Sequence, residues 1–289
     1  MSDIERSMVK GWPPGNHGGM VSSTETTVVG HRDLEAWHRD GFHVARGLLS
    51  ATEVLAIRER FDRLAEAGRD VPGHWKLDPG AADVLGRYPR VMQPHAFDPD
   101  SRDLLLDDRL HAILRDLQGE EVIACQSMYY FKPPGSRGQA FHQDNYYLRV
   151  EPLTCIAAWV AIDRSHAENG GLQVCPGTHT MDVECPEESD ATQSFTTDYV
   201  APPPGHDPVR LQLEPGDVLF FNGSVVHGSN PNLTTQEWRR SFICHYLPVS
   251  ATHIAKGYLP HMYDFSGNPV RREVATGGGP CGVEQPVPA

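Results

Sequence analysis

The 289-residue chain has no basic block, and its 25 Lys and Arg are outnumbered by 38 Asp and Glu, for a net charge of −13. Phosphate-rich partners would be repelled, which argues against a nucleic-acid binder. No apolar run approaches the ~20 residues of a membrane span. The opening residues Met1–Ser7 carry no apolar stretch of the secretory type. The six cysteines (Cys125, Cys155, Cys175, Cys185, Cys244 and Cys281) form no C-x-x-C pair and no zinc-ribbon spacing. Cys125, Cys155 and Cys244 sit in apolar runs, where buried reduced thiols are expected, and a cytoplasmic protein follows as the expectation. What is present is a core: 39% hydrophobic residues, with five Trp and ten Phe, excludes wholesale disorder.

Residues 1–29 are rich in Gly, Pro, Ser and Thr and read as a loose arm. His31 to Trp37 reads as a short helix running into the Asp40-Gly41-Phe42 turn. A second helix starts at Ser50, where Ser50-Ala51-Thr52-Glu53 has the form of a capping box. Val54, Ile57, Phe61 and Leu64 follow at helical spacing up to Gly68. A third helix is predicted from Arg102 to Leu117, with Gly119 as its stop. From Glu121 the texture changes to short β-favouring runs between turn signals: Val122–Phe131, Gln139–Asp144, Thr154–Ile162, Leu172–Cys175, Val209–Leu213, Val218–Phe221 and Ser241–Leu247. That pattern predicts a mainly β jelly roll flanked by N-terminal helices, a single domain over residues 30–265. Its helical part would occupy about 30–120 and its β core about 121–250. The acidic segment 181–208 is too long for an ordinary loop and reads as a lid or a disordered stretch, and residues 266–289 form a Gly/Pro-rich tail.

Among fifteen histidines, two stand in chemically suggestive places. Phe141-His142-Gln143-Asp144 puts an imidazole and a carboxylate two residues apart in a β-like segment, where both point to one side. Phe220-Phe221-Asn222-Gly223-Ser224-Val225-Val226-His227 ends a strand in a turn that presents a second imidazole. Two His and one carboxylate make the facial triad of non-haem Fe(II) enzymes, which leaves adjacent coordination positions open. Arg239 or Arg240, twelve or thirteen residues on, could clamp a carboxylate through paired hydrogen bonds. Strand alternation lets only one of the two face the pocket. His179 and Asp217 sit in turns and read as structural, and His245 as a hydrogen-bonded core residue. Asn145, Tyr146 and Tyr147 follow the H-x-D directly and are expected at the pocket mouth.

The sequence resembles the phytanoyl-CoA dioxygenase family of Fe(II)/2-oxoglutarate-dependent oxygenases. The resemblance rests on Met128-Tyr129-Tyr130-Phe131-Lys132-Pro133-Pro134, Phe141-His142-Gln143-Asp144, Ala158-Trp159-Val160-Ala161-Ile162-Asp163, Asn169-Gly170-Gly171-Leu172, Pro176-Gly177-Thr178-His179, Pro215-Gly216-Asp217, His227-Gly228-Ser229 and Arg239, in the family's order. It implies a double-stranded β-helix, with His142, Asp144 and His227 as iron ligands. It also implies that Arg239 holds the distal carboxylate of 2-oxoglutarate with Ser229 beside it, and that Trp159, Met128 and Gln93 contact the co-substrate. Fe(II), 2-oxoglutarate and O2 would be the cofactor set, with succinate and CO2 released. Related halogenases replace the carboxylate with a small residue, so Asp144 favours hydroxylation, desaturation or ring formation over chlorination.

A coenzyme-A ester would call for Lys/Arg clusters, and the lid segment is acidic, so a small metabolite is the expected substrate: a natural-product intermediate, an amino acid or a cationic compound. Two other classes stay open on sequence: a non-catalytic jelly-roll ligand-binding module, and a metal-dependent hydrolase using the same three residues. Oligomeric state is not legible.

Overall fold

The computed structural model describes residues 28–152, 154–277 and 279–282. The predicted N-terminal arm lies outside them except for Val28 and Val29, as does the end of the tail. The helices are α1 (His31–Asp40), α2 (Ala51–Ala67), α3 (Val84–Arg87), α4 (Pro99–Leu105), α5 (Asp108–Gln118) and α6 (Asp144–Leu148). The strands that build the site are β1 (Phe42–Ala45), β2 (Val91–Met92), β3 (Val122–Tyr130), β4 (Gln139–His142), β5 (Ile156–Ala161), β6 (Leu172–Val174), β7 (Glu187–Glu188), β8 (Asp198–Tyr199), β9 (Val209–Arg210), β10 (Val218–Asn222), β11 (His227–Ser229) and β12 (Ser241–Pro248). A six-stranded sheet in the order β1-β10-β5-β12-β3-β2 faces a four-stranded sheet in the order β4-β11-β6-β9, and every neighbouring pair is antiparallel. This is the double-stranded β-helix.

The large sheet is buried on both faces, which explains its near-continuous apolar strands. Along β12, Phe242, Cys244 and Tyr246 join the core under the helices, while Ile243 joins the core between the sheets. In β5, Ile156, Ala158 and Val160 face the helices, and Ala157, Trp159 and Ala161 face the interior. The two-residue period of a strand thus assigns one set to stability and the other to the cavity. α2 covers the outer face, with Phe61 stacked on Tyr129 at 3.9 Å between ring centroids. The capping box forms as predicted: Ser50 accepts from the Glu53 amide, and Glu53 accepts from the Ser50 amide.

Three expectations need correction. The helix predicted over Arg102–Leu117 is two, α4 and α5. The Asp107 carboxylate accepts from the Arg109 amide and caps a new start, while Leu104, Leu105, Leu110 and Leu114 keep the core side apolar across the break. The strand predicted over Gln139–Asp144 ends at His142, and Asp144 begins α6. The strand predicted over Val209–Leu213 shrinks to β9, Val209 and Arg210 pairing with Val174 and Gln173; beyond it the Leu211 amide still donates to the Leu172 carbonyl, and Leu213 forms a bridge with Ser165. Beyond those expectations, Cys185 and Cys281 are joined in a disulfide that ties segment 181–208 to the stretch around Cys281. Cys125, Cys155, Cys175 and Cys244 are free and buried.

Segment 181–208 carries the β7–β8 ribbon and is fastened to β4. The Gly138 amide donates to the Gln193 carbonyl, the Phe195 amide to the Gly138 carbonyl and the Val200 amide to the Phe141 carbonyl. Among the described residues no helix is long and apolar enough to cross a membrane.

Candidate metal and co-substrate site

His142 and His227 stand directly opposite each other on the antiparallel pair β4–β11, with ring centroids 4.2 Å apart. Asp144 reaches the same point because Gln143 is still extended, so the alternation carries one residue past the strand before α6 begins. One donor atom from each of the three lies within 4.8 Å of the others, and all three side chains are buried. Each imidazole donates its Nδ1 proton to a nearby backbone carbonyl, His142 to Ala140 at 2.9 Å and His227 to Val225 at 3.0 Å. That fixes both tautomers and leaves the Nε2 lone pairs aimed inward, as a metal ligand requires. The side-chain amide of Gln139 lies 3.0 Å from the His142 Nε2.

Asp144 divides its two oxygens. Oδ1 lies 3.4 Å from His142 Nε2 and 3.7 Å from His227 Nε2, and Oδ2 accepts from His245 Nε2 at 2.9 Å. Burial opposes the charged carboxylate, but the surrounding imidazoles, with the hydrogen bond from His245, hold Asp144 well below the usual carboxylate range. Burial, followed by the neighbouring His142, pushes His227 down to about 4, which keeps it neutral. His245 is therefore a hydrogen-bonded interior residue, as the sequence suggested, but its partner is the carboxylate at the centre of the site.

The three groups line a cavity of about 580 Å³ between the sheets, whose walls also include Tyr88, Tyr130, Tyr147 and Phe195. Arg239 lies in it, buried, with its guanidinium 5.3 Å from the Trp159 ring centroid and one hydrogen bond, to Ser241 Oγ at 3.3 Å. Among the described residues its Nε has no partner, and burial pushes its pKa down to about 10. Arg240 points the other way and pairs with Asp62 and Asp163 under α2. Alternation resolves the choice between the arginines: Arg239 faces the cavity.

Ser229, Trp159 and Met128 also line the cavity. Gln93 does not. It holds a positive φ of 52°, and its side-chain carbonyl accepts from the Ser127 amide, while Arg90 and Met92 of the same segment reach the cavity. Of the residues after the H-x-D, Tyr147 lines the cavity and donates to Asp198 at 2.7 Å. Asn145 instead braces Val150, and Tyr146 touches Cys281. His179 binds the His38 carbonyl and Asp217 binds Arg46 and the Gly47 amide, both structural as read. Sequence reasoning passed over Lys132, which lies in the cavity wall with only 4% of its surface exposed. Its position between a long apolar run and Pro133-Pro134 was the available signal.

A double-stranded β-helix with a buried H-x-D…H set and an unpaired arginine defines the class of iron- and 2-oxoglutarate-dependent oxygenases. The family described as phytanoyl-CoA dioxygenase matches residues 37–241, and the chain belongs to it. It is 28% identical to the bovine phytanoyl-CoA dioxygenase domain-containing protein 1, over 76% of this chain and 90% of that one. It is 27% identical to phytanoyl-CoA dioxygenase of Arabidopsis thaliana, over 77% and 90%. Solved structures share the fold. The epimerase SnoN, in complex with Fe3+, alpha ketoglutarate and nogalamycin RO, has a TM-score of 0.61 at 24% identity, covering 86% of this chain and 96% of that one. EctD from S. alaskensis with bound Fe has a TM-score of 0.64 at 24% identity, covering 90% of each. The protein is an Fe(II)/2-oxoglutarate-dependent oxygenase with an H-x-D…H triad.

Proposed function

We propose that this oxygenase hydroxylates a C–H bond of a small-molecule metabolite, with His142, Asp144 and His227 holding the iron and Arg239 and Ser229 holding the distal carboxylate of 2-oxoglutarate. The observation that carries this reading is the pairing, in one cavity, of three convergent donor atoms with a buried guanidinium that has no carboxylate partner among the described residues. A hydrolase would have no use for that cation. Iron and 2-oxoglutarate, when bound, supply oxidative decarboxylation to succinate and CO2 and the oxidising power for C–H attack.

The chain's own residues do the rest. Ala140 and Val225 hold the imidazoles through their carbonyls, and His245 holds Asp144. Trp159 and Met128 wall off water around the co-substrate. Asp144 argues against a halide position on the metal. Phe195 to Asp198 add a wall to the cavity, held by the Tyr147–Asp198 hydrogen bond. A small substrate suits this space: apart from Lys132 and Arg239, the cations that line the cavity among the described residues are Arg137, paired with Asp83, and Arg90, hydrogen-bonded to Tyr130, which is a poor match for the several phosphates of a coenzyme-A ester. Two structural neighbours were solved with small molecules bound, nogalamycin RO in SnoN and 5-hydroxyectoine in EctD, which supports the same scale of substrate.

The test is aerobic incubation with Fe(II), 2-oxoglutarate and a metabolite library under 18O2, read by mass spectrometry. A product heavier by one 18O atom, formed with stoichiometric succinate, is expected. A product lighter by two hydrogens, without label, would replace hydroxylation with desaturation or ring closure.

A further inference from the structure

Lys132 leaves β3 with a positive φ of 36° and turns its side chain into the interior. Its ammonium has one partner, Ser229 Oγ at 3.0 Å, and no carboxylate among the described residues. Space for it is built in. A Cβ at Gly170, which has a φ of +74°, would sit 2.4 Å from Lys132 Cε and 3.0 Å from Nζ. The Gly170 of Asn169-Gly170-Gly171 is thus the channel wall for this lysine.

Arg239 is tied to the same spot, because its amide donates to the Lys132 carbonyl at 3.1 Å. Two cations are therefore buried together, an arrangement that costs stability unless an anion joins them. Burial, followed by the charge of Arg239, pushes the Lys132 pKa well below its ordinary value. Ser229 Oγ accepts from Lys132 Nζ and from the Gln139 amide at 3.3 Å. With both acceptor positions used, its own proton remains free to donate into the cavity.

We propose that Lys132 is the second cation of the seat for the 2-oxoglutarate distal carboxylate, completing with Arg239 and Ser229 a site matched to a carboxylate-ended co-substrate. This rests on the dioxygenase reading above. It also explains why the protein tolerates the buried pair: the unfavourable charge is relieved when the dianion binds.

The experiment compares binding of 2-oxoglutarate and 2-oxopentanoate, which has the same chelating end but a methyl in place of the distal carboxylate. Binding is measured by calorimetry on the Mn(II)-loaded protein. Wild type should prefer 2-oxoglutarate strongly. In Lys132→Met the affinity for 2-oxoglutarate should fall about 10- to 100-fold, the span of a charged hydrogen bond. The affinity for 2-oxopentanoate should stay within about twofold, and the melting temperature of the metal-free protein should hold or rise. Equal losses for both acids, or a lowered melting temperature with an unchanged preference, would make Lys132 a structural brace and overturn the proposal. If Lys132→Met does not fold, Lys132→Gln and the charge-retaining Lys132→Arg take its place, with the preference lost in the first and kept in the second; a preference kept in both overturns the proposal. A wild type without preference for 2-oxoglutarate would instead refute the dioxygenase reading. A strong preference lost in Arg239→Ala but kept in Lys132→Met would refute only this inference.

Discussion

The two sheets of the molecule divide its labour. The six-stranded sheet is apolar on both faces and carries the helices, and its strands run to nine residues in β3. The four-stranded sheet has strands of two to four residues, and two of them, β4 and β11, present His142 and His227. One sheet supplies burial and so stability. The other is shorter, adding Leu172 and Val174 to the core between the sheets, and sets the two imidazoles face to face. Arg239, Trp159 and His245 cross that division, because β5 and β12 and the residue leading into β12 turn their inward residues toward the small sheet. Substitutions in the two sheets should therefore fail in different ways.

The largest contrast is at the triad. His142→Ala or His227→Ala should take iron-dependent turnover below detection with the melting temperature nearly unchanged, measured by oxygen consumption and calorimetry. A triad variant that unfolds would erase the division. On the large sheet, Phe242→Ala should cost about 3–5 kcal/mol, the range for buried aromatics cut to alanine, measured by urea unfolding. A pH effect also belongs to the large-sheet side. His95 is buried against Ser127 Oγ and the His261 carbonyl, and burial pushes it down to about 4. The unfolded chain binds this proton near pH 6.5 and the fold refuses it until about pH 4. Stability from this residue is thus complete above pH 6.5 and declines as the pH falls toward 4, by up to about 3 kcal/mol. Urea titrations at pH 7 and 4.5 should show that decline in wild type and a smaller one in His95→Gln.

The neighbouring arginines sharpen the comparison within two residues. Arg239→Ala should raise the 2-oxoglutarate requirement about 10- to 100-fold, while Arg240→Ala should leave it unchanged and lower stability instead, since it loses Asp62 and Asp163. The opposite pattern in the KM for 2-oxoglutarate would reverse the assignment. The smallest effect is expected at His245, which touches Asp144 but does not stand among the three convergent donors. His245→Gln should weaken Fe(II) binding about tenfold, toward the lower end for residues that support a metal ligand, measured by competition with a chromogenic chelator.

Much of this organisation is legible in the sequence, for definable reasons. Short apolar runs between Gly/Pro turns report strands, and the H-x-D spacing reports convergence because period-2 alternation persists through Gln143. The break between α4 and α5 was hidden because Leu104, Leu105, Leu110 and Leu114 keep one apolar side through it, and a single Asp107 cap is a weak signal within that pattern. The two residues of β2 owe their strand state to Met128 and Tyr129, far along the chain, while β7 and β8 are two-residue strands that pair with each other and are too short to show a period. Cys185 and Cys281, 96 residues apart, give no local sign of meeting. Lys132 escaped notice because composition cannot say where a charge points, and lysine is rarely this buried. The acidic total charge likewise described the surface, while the cavity wall holds Lys132 and Arg239.

The central claim, that the small sheet and Arg239 together form an iron and 2-oxoglutarate site, is tested most directly by anaerobic titration. The metal-free protein would be given Fe(II) and then 2-oxoglutarate while its visible absorption is followed. A charge-transfer band that requires both additions, and is absent in His227→Ala, is the predicted result. A folded wild-type protein that binds Fe(II) but develops no band with saturating 2-oxoglutarate would contradict the claim.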